Sequence, residues 1–151
     1  MKHNFLIILI LSLLIYNCKN DIEEPSPDEF LSKNNINLSE IHGTWTWNNS
    51  HGGGWGMTIL TPESEGFSKQ ISFEADRKFK EFIDSEITID TYYRIDSTGR
   101  LANGLEIYKI YRFIDKEEQE FVINQEDDTT YLYLYDLNCR DCIGTHVYLK
   151  D

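Results

Sequence analysis

Basic residues and long apolar runs are both scarce in this sequence. It has 14 Lys and Arg against 26 Asp and Glu, a formal net charge of −12. Such a surface repels nucleic acid and anionic lipid, so we expect no DNA or RNA partner. The apolar run at residues 5–16 has twelve residues, whereas a membrane-spanning helix needs about 20. That length is instead typical of the apolar centre of a signal peptide.

The apolar run ends at "IYNC", and its cysteine is Cys18. A short basic start, an apolar run and a cysteine resemble a bacterial lipoprotein signal, in which the cysteine is lipidated after cleavage. The resemblance implies a signal peptide at residues 1–17 and a lipid anchor on Cys18 in the outer membrane. An ordinary secretory signal cleaved nearby is the alternative.

Residues 18–37 contain "KNDIEEPSPDEF", which is acidic and carries two prolines. This composition buries too little apolar surface to fold, so we expect a flexible tether. Lysine followed by acids resembles the export signal of Bacteroidota-type lipoproteins on the outer face of the outer membrane. The sequence does not decide between that face and the periplasm.

The other two cysteines form a C-x-x-C pair, Cys139 and Cys142. Outside the cytoplasm such a pair usually oxidises, so we expect a local disulfide or, failing that, two free thiols. A zinc site with His146 lacks a fourth nearby ligand. A thioredoxin-like centre lacks the helix that should follow the first cysteine. We predict no metal and no cofactor.

Residues 38–151 suffice for one domain. Short runs rich in Ile, Thr, Tyr and Phe alternate with Gly, Asn and Asp turns, as in "KQISFEA" and "ITIDTYYRID". No helical period appears after Gly43, and "FLSKNNINLSEI" just before it is the only helix candidate. We therefore predict an all-β domain of eight or nine antiparallel strands, closed as an up-and-down barrel or curled as a meander.

The segment "IHGTWTW" carries the G-x-W pattern at Gly43 and Trp45. It resembles the first strand of lipocalins, and the order of elements after it resembles the lipocalin-like domains of Bacteroidota-type lipoproteins. The resemblance implies that Trp45 closes one end of the barrel. Relatives usually cover this ring with an arginine near the C-terminus, where this chain offers Lys150.

The stretch "HGGGWG", residues 51–56, resembles the oxyanion-hole segment of lipases and esterases. That chemistry also requires a G-x-S-x-G nucleophile and a helix-flanked parallel sheet, and the sequence offers neither. We interpret the glycines as a pliant connection between strands. Trp55 within it either contacts a ligand at the barrel mouth or packs back into that mouth.

In "YLYLYDL", Tyr131, Tyr133 and Tyr135 share one strand face and two leucines share the other. The tyrosines either line a cavity and bind a ligand, or form an outer patch, or lie half exposed over a leucine core. Nothing marks the histidines as bases or metal ligands, and we identify no catalytic residues.

We therefore predict a lipid-anchored, non-catalytic protein that binds a small apolar or sugar-like ligand near Trp55 and the tyrosines. The alternative is a protein-interaction module, such as an accessory subunit or an inhibitor. A roomy lumen lined by the tyrosine face favours the first, and a lumen filled by Leu, Ile and Phe favours the second.

Overall fold

A computed structural model describes residues 26–32, 36, 38–52, 58–137 and 143–151. Nine antiparallel strands dominate it: β1 Gly43–Gly52, β2 Thr58–Leu60, β3 Lys69–Phe73, β4 Lys78–Ile83, β5 Glu86–Arg100, β6 Glu106–Arg112, β7 Glu118–Glu126, β8 Thr129–Asp136 and β9 Ile143–Lys150. The helical elements are α1 Pro27–Ser32, a 3₁₀ turn Ser39–Ile41 and α2 Pro62–Glu65.

The sheet closes into a barrel because β1 pairs with both β9 and β3. Strands β3 to β9 follow one another in chain order, each paired with the next. The short strand β2 pairs with the last three residues of β1, beyond the part that β3 covers. The all-β, up-and-down barrel predicted from the sequence is therefore confirmed, with eight strands in the closed sheet and β2 as an extra strand.

Short turns set the register of the strands. Ile83 pairs with Glu86, and the two residues between them, Asp84 and Ser85, both have positive φ. That combination belongs to the type I′ turn, whose twist matches that of the paired strands. The turn sets the register where β4 and β5 begin to pair, and a bulge between Glu81 and Phe82 shifts it further along the strands.

Aromatic and aliphatic side chains fill the lumen in the half of the barrel where β1 begins, which we call the lower lumen. The largest fully buried ones are Trp45, Phe73, Phe121, Ile41, Ile71, Ile95, Ile110 and Leu132. They come from β1, β3 and β5 to β8 and from the 3₁₀ turn. We call the end where β1 begins the closed end, and the end where β1 finishes the mouth.

Gly43, Trp45 and Lys150 meet at the closed end. Gly43 has φ +121°, a conformation that favours glycine. Trp45 is fully buried, and its Nε1 donates to the Ile41 carbonyl at 2.7 Å. The Lys150 ammonium lies 5.2 Å from the Trp45 ring centroid and donates to the Glu40 carbonyl at 2.7 Å. Lys150 therefore contacts Trp45, at the place where the resemblance to lipocalins implies a covering side chain.

Helix α1 differs from the flexible tether predicted for residues 18–37. Phe30 is buried, with its ring centroid 5.4 Å from that of Phe113 and the Arg94 guanidinium 5.0 Å from its centre. Arg77 donates to the Leu31 carbonyl at 2.9 Å. The composition of this segment could not predict the helix, because the partners of Phe30 come together only on the outside of the folded barrel.

Helix α2 was also not predicted, although the sequence signals it. Thr61 and Ser64 form a reciprocal capping box, and Pro62 occupies the first helical position. Gly66 ends the helix with φ +74°. A helix of four residues is too short to show a hydrophobic period, so only its caps could have revealed it.

Candidate functional site: the polar mouth of the barrel

A layer of polar side chains replaces the apolar filling of the lumen near the mouth. It surrounds a cavity of about 280 Å³, which we call the mouth pocket. Its strand-borne polar residues are Lys69, Glu81, Arg112, Gln119, Asp136 and His146. Ile71, Phe79, Ile89 and Leu134 form its apolar side. Most strands of the barrel thus pass from apolar to polar residues along their inward faces as they reach the mouth, whereas β5 contributes the apolar Ile89.

Lys69 and Glu81 form an ion pair on adjacent strands. The Lys69 Nζ lies 2.6 Å from Glu81 Oε2, and both side chains are largely buried. Burial alone lowers the pKa of Lys69, but the electrostatic influence of Tyr148 and Glu81 outweighs burial and raises it. Lys69 is therefore a fixed cation at neutral pH, not a nucleophilic amine.

Arg112 ends β6 and is the most deeply buried charge of the pocket, with its side chain 9% exposed. Its guanidinium pairs with Asp115 at 3.0 Å and with Glu117, both in the connection to β7. The guanidinium also lies 5.3 Å from the Phe79 ring centroid. Its Nε, however, has no hydrogen-bond partner among the described residues. An unpaired buried donor is costly, about 1–3 kcal/mol, and calls for an explanation.

A chain of hydrogen bonds links β1, β9, β8 and β7. Trp47 Nε1 donates to Ser50 Oγ at 2.8 Å, and Ser50 Oγ lies 2.7 Å from His146 Nδ1. His146 Nε2 lies 3.1 Å from Asp136 Oδ2, while Gln119 Nε2 donates to Asp136 Oδ1 at 2.6 Å. We call this set the Trp–Ser–His–Asp relay.

The relay has one tautomer that satisfies every member. In it, His146 donates from Nε2 to Asp136 and accepts the Ser50 hydroxyl proton at Nδ1, which leaves Ser50 Oγ to accept from Trp47. Burial raises the pKa of Asp136, but the hydrogen bonds from His146 and Gln119 outweigh it and lower that pKa. Asp136 is therefore ionised at neutral pH.

A β-bulge places Ser50 in the relay. The pairing of β1 with β9 shifts between Trp47 and Asn49. Strict alternation would direct residue 49 inward after Trp47, and the extra residue directs Ser50 inward instead, opposite His146. No sequence rule predicts this shift.

The order Ser50, His146, Asp136 matches the order of groups in a serine-hydrolase triad. Ser50 is only 3% exposed, however, and it does not line the mouth pocket. Its oxygen already accepts a hydrogen bond from Trp47. We therefore assign the relay a positioning role, in which it holds His146 and Asp136 at the pocket wall.

The tyrosines of β8 take one of the arrangements that the sequence leaves open. Tyr131, Tyr133 and Tyr135 lie on the outer face of β8, opposite Leu132 and Leu134, which are buried in the lumen. They therefore do not line the mouth pocket. Alternation shows which residues share a face of a strand, but not whether that face points into the barrel or out of it. Only the folded sheet shows this.

Several predictions fall on residues outside the described part of the chain. These are the signal peptide at residues 1–17, the lipid attachment at Cys18, the loop residue Trp55 and the disulfide between Cys139 and Cys142. His146, considered as a partner of those cysteines in a zinc site, engages Ser50 and Asp136 through its two nitrogens. Within the described ranges, no cluster of His, Cys, Asp or Glu could hold a metal ion.

Sequence reasoning missed the mouth pocket, although a signal for it exists. In "KQISF", Lys69 shares a face with Ile71 and Phe73, and in "YKIYR", Arg112 shares one with Ile110. A charged residue in phase with core residues at one end of several strands indicates a polar layer in a lumen. No single motif carries this signal, because it lies in the common position of charged residues on several strands.

A second cavity, of about 390 Å³, lies at the closed end beside Glu40, Glu106, Tyr108 and Lys150. Its acids are exposed to solvent, whereas Arg112 and Glu81 of the mouth pocket are 9% and 12% exposed. Burying a charged side chain lowers the stability of a fold unless the charge is paired or serves a function. We therefore take the mouth pocket as the candidate site, despite its smaller volume.

No family model, curated protein or solved structure matches the chain in comparisons with known proteins. None of the helices in the described ranges is long and apolar enough to span a membrane. The fold and the site thus define a closed antiparallel β-barrel with a filled lower lumen and a polar pocket at its mouth.

Proposed function

We propose that the protein is a lipid-anchored lipoprotein of the bacterial envelope that binds a small polar, sugar-like ligand in the mouth pocket, without catalysis. The observation that carries this proposal is the polar layer around the cavity, set above an apolar floor. The anchor at Cys18 and the outer-membrane location rest on the resemblance of residues 1–18 to a lipoprotein signal.

The chemistry of the pocket favours a polar ligand over an apolar one. Its wall presents an amide, carboxylates and a guanidinium, which can exchange hydrogen bonds with hydroxyl groups. The volume lies at the lower limit of small-molecule sites, about 300–1,000 Å³, and therefore suits one sugar ring. The apolar side at Phe79 offers a surface for the less polar face of such a ring.

Titration of the mature chain with neutral monosaccharides, followed by NMR, tests this function. We expect the amide signals of Gln119 and the ring signals of His146 to shift on binding, and Asp136→Asn to weaken it. Glu118→Gln is the matched control, because Glu118 pairs with Lys109 on the outside of the barrel. If a long-chain alcohol binds and no sugar does, the polar assignment is wrong.

A protein-interaction role is the second candidate, and three exposed isoleucines favour it. Ile59, Ile87 and Ile114 are 66%, 56% and 66% exposed, and all lie at the mouth end of the barrel. Exposed aliphatic side chains around one rim are typical of a contact surface. The filled lower lumen also favours this role, because it leaves little room for a ligand deep inside the barrel.

Serine substitutions at the rim distinguish this second role. If a partner protein covers the mouth, Ile59→Ser with Ile114→Ser should abolish its co-purification with the protein from envelopes. Leu101→Ser is the control, since Leu101 is exposed at the opposite end of the barrel. Equal recovery of the partner with both variants would reject the rim as its binding surface.

A further inference from the structure

Strand β5 changes its neighbour halfway along its length. Residues 86–92 pair with β4, whereas residues 93–100 pair with β6. Because these two neighbours lie on opposite edges of β5, each half of the strand has one edge that no strand of the described ranges covers. The N–H and C=O groups along such an edge are able to pair with another strand.

The chain itself covers the uncovered edge of β5 in the half towards the closed end. There, Ile36 N donates to the Ile95 carbonyl at 2.8 Å. In the half towards the mouth, Phe113 N donates to the Tyr92 carbonyl at 2.9 Å. Beyond Tyr92, no backbone group of the described residues bonds to this edge of β5. We call residues 86–90 on this side the open edge.

Asp90 presents its backbone groups to the open edge. Tyr93 N donates to the Arg77 carbonyl on the β4 side, and the Tyr92 carbonyl accepts on the β6 side. The pairing with β4 is regular from Tyr92 to Ile89, and alternate residues of a regular strand direct their N–H and C=O groups to the same edge. The N–H and C=O groups of Asp90 therefore point away from β4.

Exposed aliphatic side chains flank the open edge. Ile87 lies within it and is 56% exposed. Ile114 is 66% exposed and lies beside it, since Ile114 N donates to Thr91 Oγ1 at 3.0 Å. When a peptide adds to a sheet edge, backbone hydrogen bonds supply affinity and side-chain contacts supply specificity. A segment bound here would therefore carry apolar side chains that contact these isoleucines.

Charge distinguishes a second copy of the chain from a different partner. Glu86 and Asp90 are exposed at the two ends of the open edge, although Lys78 lies 3.6 Å from Asp90. If two copies paired antiparallel along all five residues, Glu86 of each would lie opposite Asp90 of the other, and like charges there are destabilising. The net charge of −12 also repels a second copy and attracts a cationic partner.

We propose that the open edge binds an extended, positively charged segment of a partner protein, which adds to the sheet as a strand beside Ile87 and Ile114. The proposal rests on the protein-interaction role, the second candidate function above, and specifies its surface and the chemistry of its partner. Lysine or arginine side chains of the segment would lie near Glu86 and Asp90, where complementary charge favours association.

Three peptide probes test the proposal by isothermal titration into the mature chain. They are Lys-Val-Lys-Val-Lys-Val-Lys, its counterpart with glutamate for lysine, and the lysine peptide with every backbone nitrogen methylated. We expect the unmodified lysine peptide to bind at least about tenfold more tightly than the other two, because glutamate is repelled and methylation removes the backbone donors. The Asp90 amide proton should exchange more slowly in the complex, since it becomes hydrogen-bonded.

Two variants at Asp90 separate backbone pairing from charge. Asp90→Pro removes a donor from the open edge but none from the pairing with β4, and it should abolish binding of the lysine peptide. Asp90→Asn keeps the donor and should weaken binding by less than about tenfold. Asp128→Asn is the matched control, because Asp128 is exposed between β7 and β8 at the closed end, and it should leave binding unchanged. If Asp90→Pro does not fold, the methylated peptide decides.

The outcomes separate this inference from the function on which it rests. Equal binding of the methylated peptide would overturn strand addition, and equal binding of the glutamate peptide would overturn the assigned charge. Equal losses in Asp128→Asn and Asp90→Asn would mean that overall charge attracts the peptide, which overturns the assigned edge. If no peptide binds, the inference is overturned, whereas the interaction role is judged separately by co-purification with the rim variants of Ile59 and Ile114.

Discussion

At the scale of single residues, the relay explains why a small barrel keeps polar groups among buried side chains. Each member of the relay forms a hydrogen bond with the next, in the order Trp47, Ser50, His146 and Asp136. Their burial therefore leaves few polar atoms without a partner. A network of this kind is stable when complete and costly when one member is removed. Two predictions follow from that property.

Ser50→Ala should destabilise the fold by about 1–3 kcal/mol, because it leaves the Trp47 N–H and His146 Nδ1 without their buried partner. Urea unfolding measures the free energy of unfolding. Ser97→Ala is the control, since Ser97 is exposed on β5 and should change that energy by no more than about 0.5 kcal/mol. Equal costs for the two variants would show that the relay does not contribute to stability.

The pH dependence of stability should report on Asp136. Its pKa is lowered in the folded state, chiefly because the hydrogen bonds from His146 and Gln119 outweigh burial. The resulting stabilisation is present above the unfolded pKa, about 3.9. It is lost as the pH falls through the lower folded pKa.

Asp136→Asn should therefore lose this contribution. The difference in free energy of unfolding between the wild type and this variant should be largest near neutral pH and should shrink below about pH 4. Unfolding curves across that range measure it. A difference that stays constant with pH would mean that the charge of Asp136 contributes nothing to stability.

At the scale of elements, α1 shows how a segment of polar composition acquires structure. The helix places Phe30 against Phe113 and beneath Arg94 on the outer side of the barrel. Its other residues are exposed or half-buried. One anchoring side chain therefore holds an element that its own sequence would not keep folded.

Phe30→Ala should release α1 while the barrel remains folded. We expect residues 27–32 to become accessible to protease, because the ring that anchors them is gone. Limited proteolysis with mass spectrometry detects the new cleavage. Glu29→Ala is the control, since Glu29 is exposed on the same helix. Unchanged protection in Phe30→Ala would mean that backbone contacts alone hold the segment.

The presence of β8 could be predicted from the sequence, but not which of its two faces points into the barrel. The alternation in "YLYLYDL" correctly separates Tyr131, Tyr133 and Tyr135 from the two leucines. It leaves open which set points inward, because both faces are apolar enough to be buried. The leucines are buried in the lumen, since closure of the whole sheet places that face inside.

At the scale of the whole molecule, the barrel has one end filled by apolar side chains and one end lined by polar ones. The closed end carries Trp45 beneath Lys150, and the opposite end carries the mouth pocket. If lipid on Cys18 anchors the chain, the pocket belongs to a protein held at a membrane surface.

Cys18→Ser should release the protein from membranes, because it removes the predicted site of lipid attachment. Fractionation of cells into soluble and membrane portions measures the effect. The matched control is Cys139→Ser, which removes a thiol outside the signal and should leave the protein with the membranes. Continued membrane association of the Cys18→Ser variant would contradict the lipid anchor.

Local patterns of the sequence were enough to predict the all-β class, a count of eight or nine strands and the negative charge. Those properties follow from local alternation, turn residues and composition, which need no knowledge of distant contacts. The folded barrel was needed to show that one cavity is surrounded by Lys69, Glu81, Arg112, Asp136 and His146. They come from five strands, and their meeting depends on register, on sheet closure and on the bulge in β1, which are set by contacts between residues far apart in the chain.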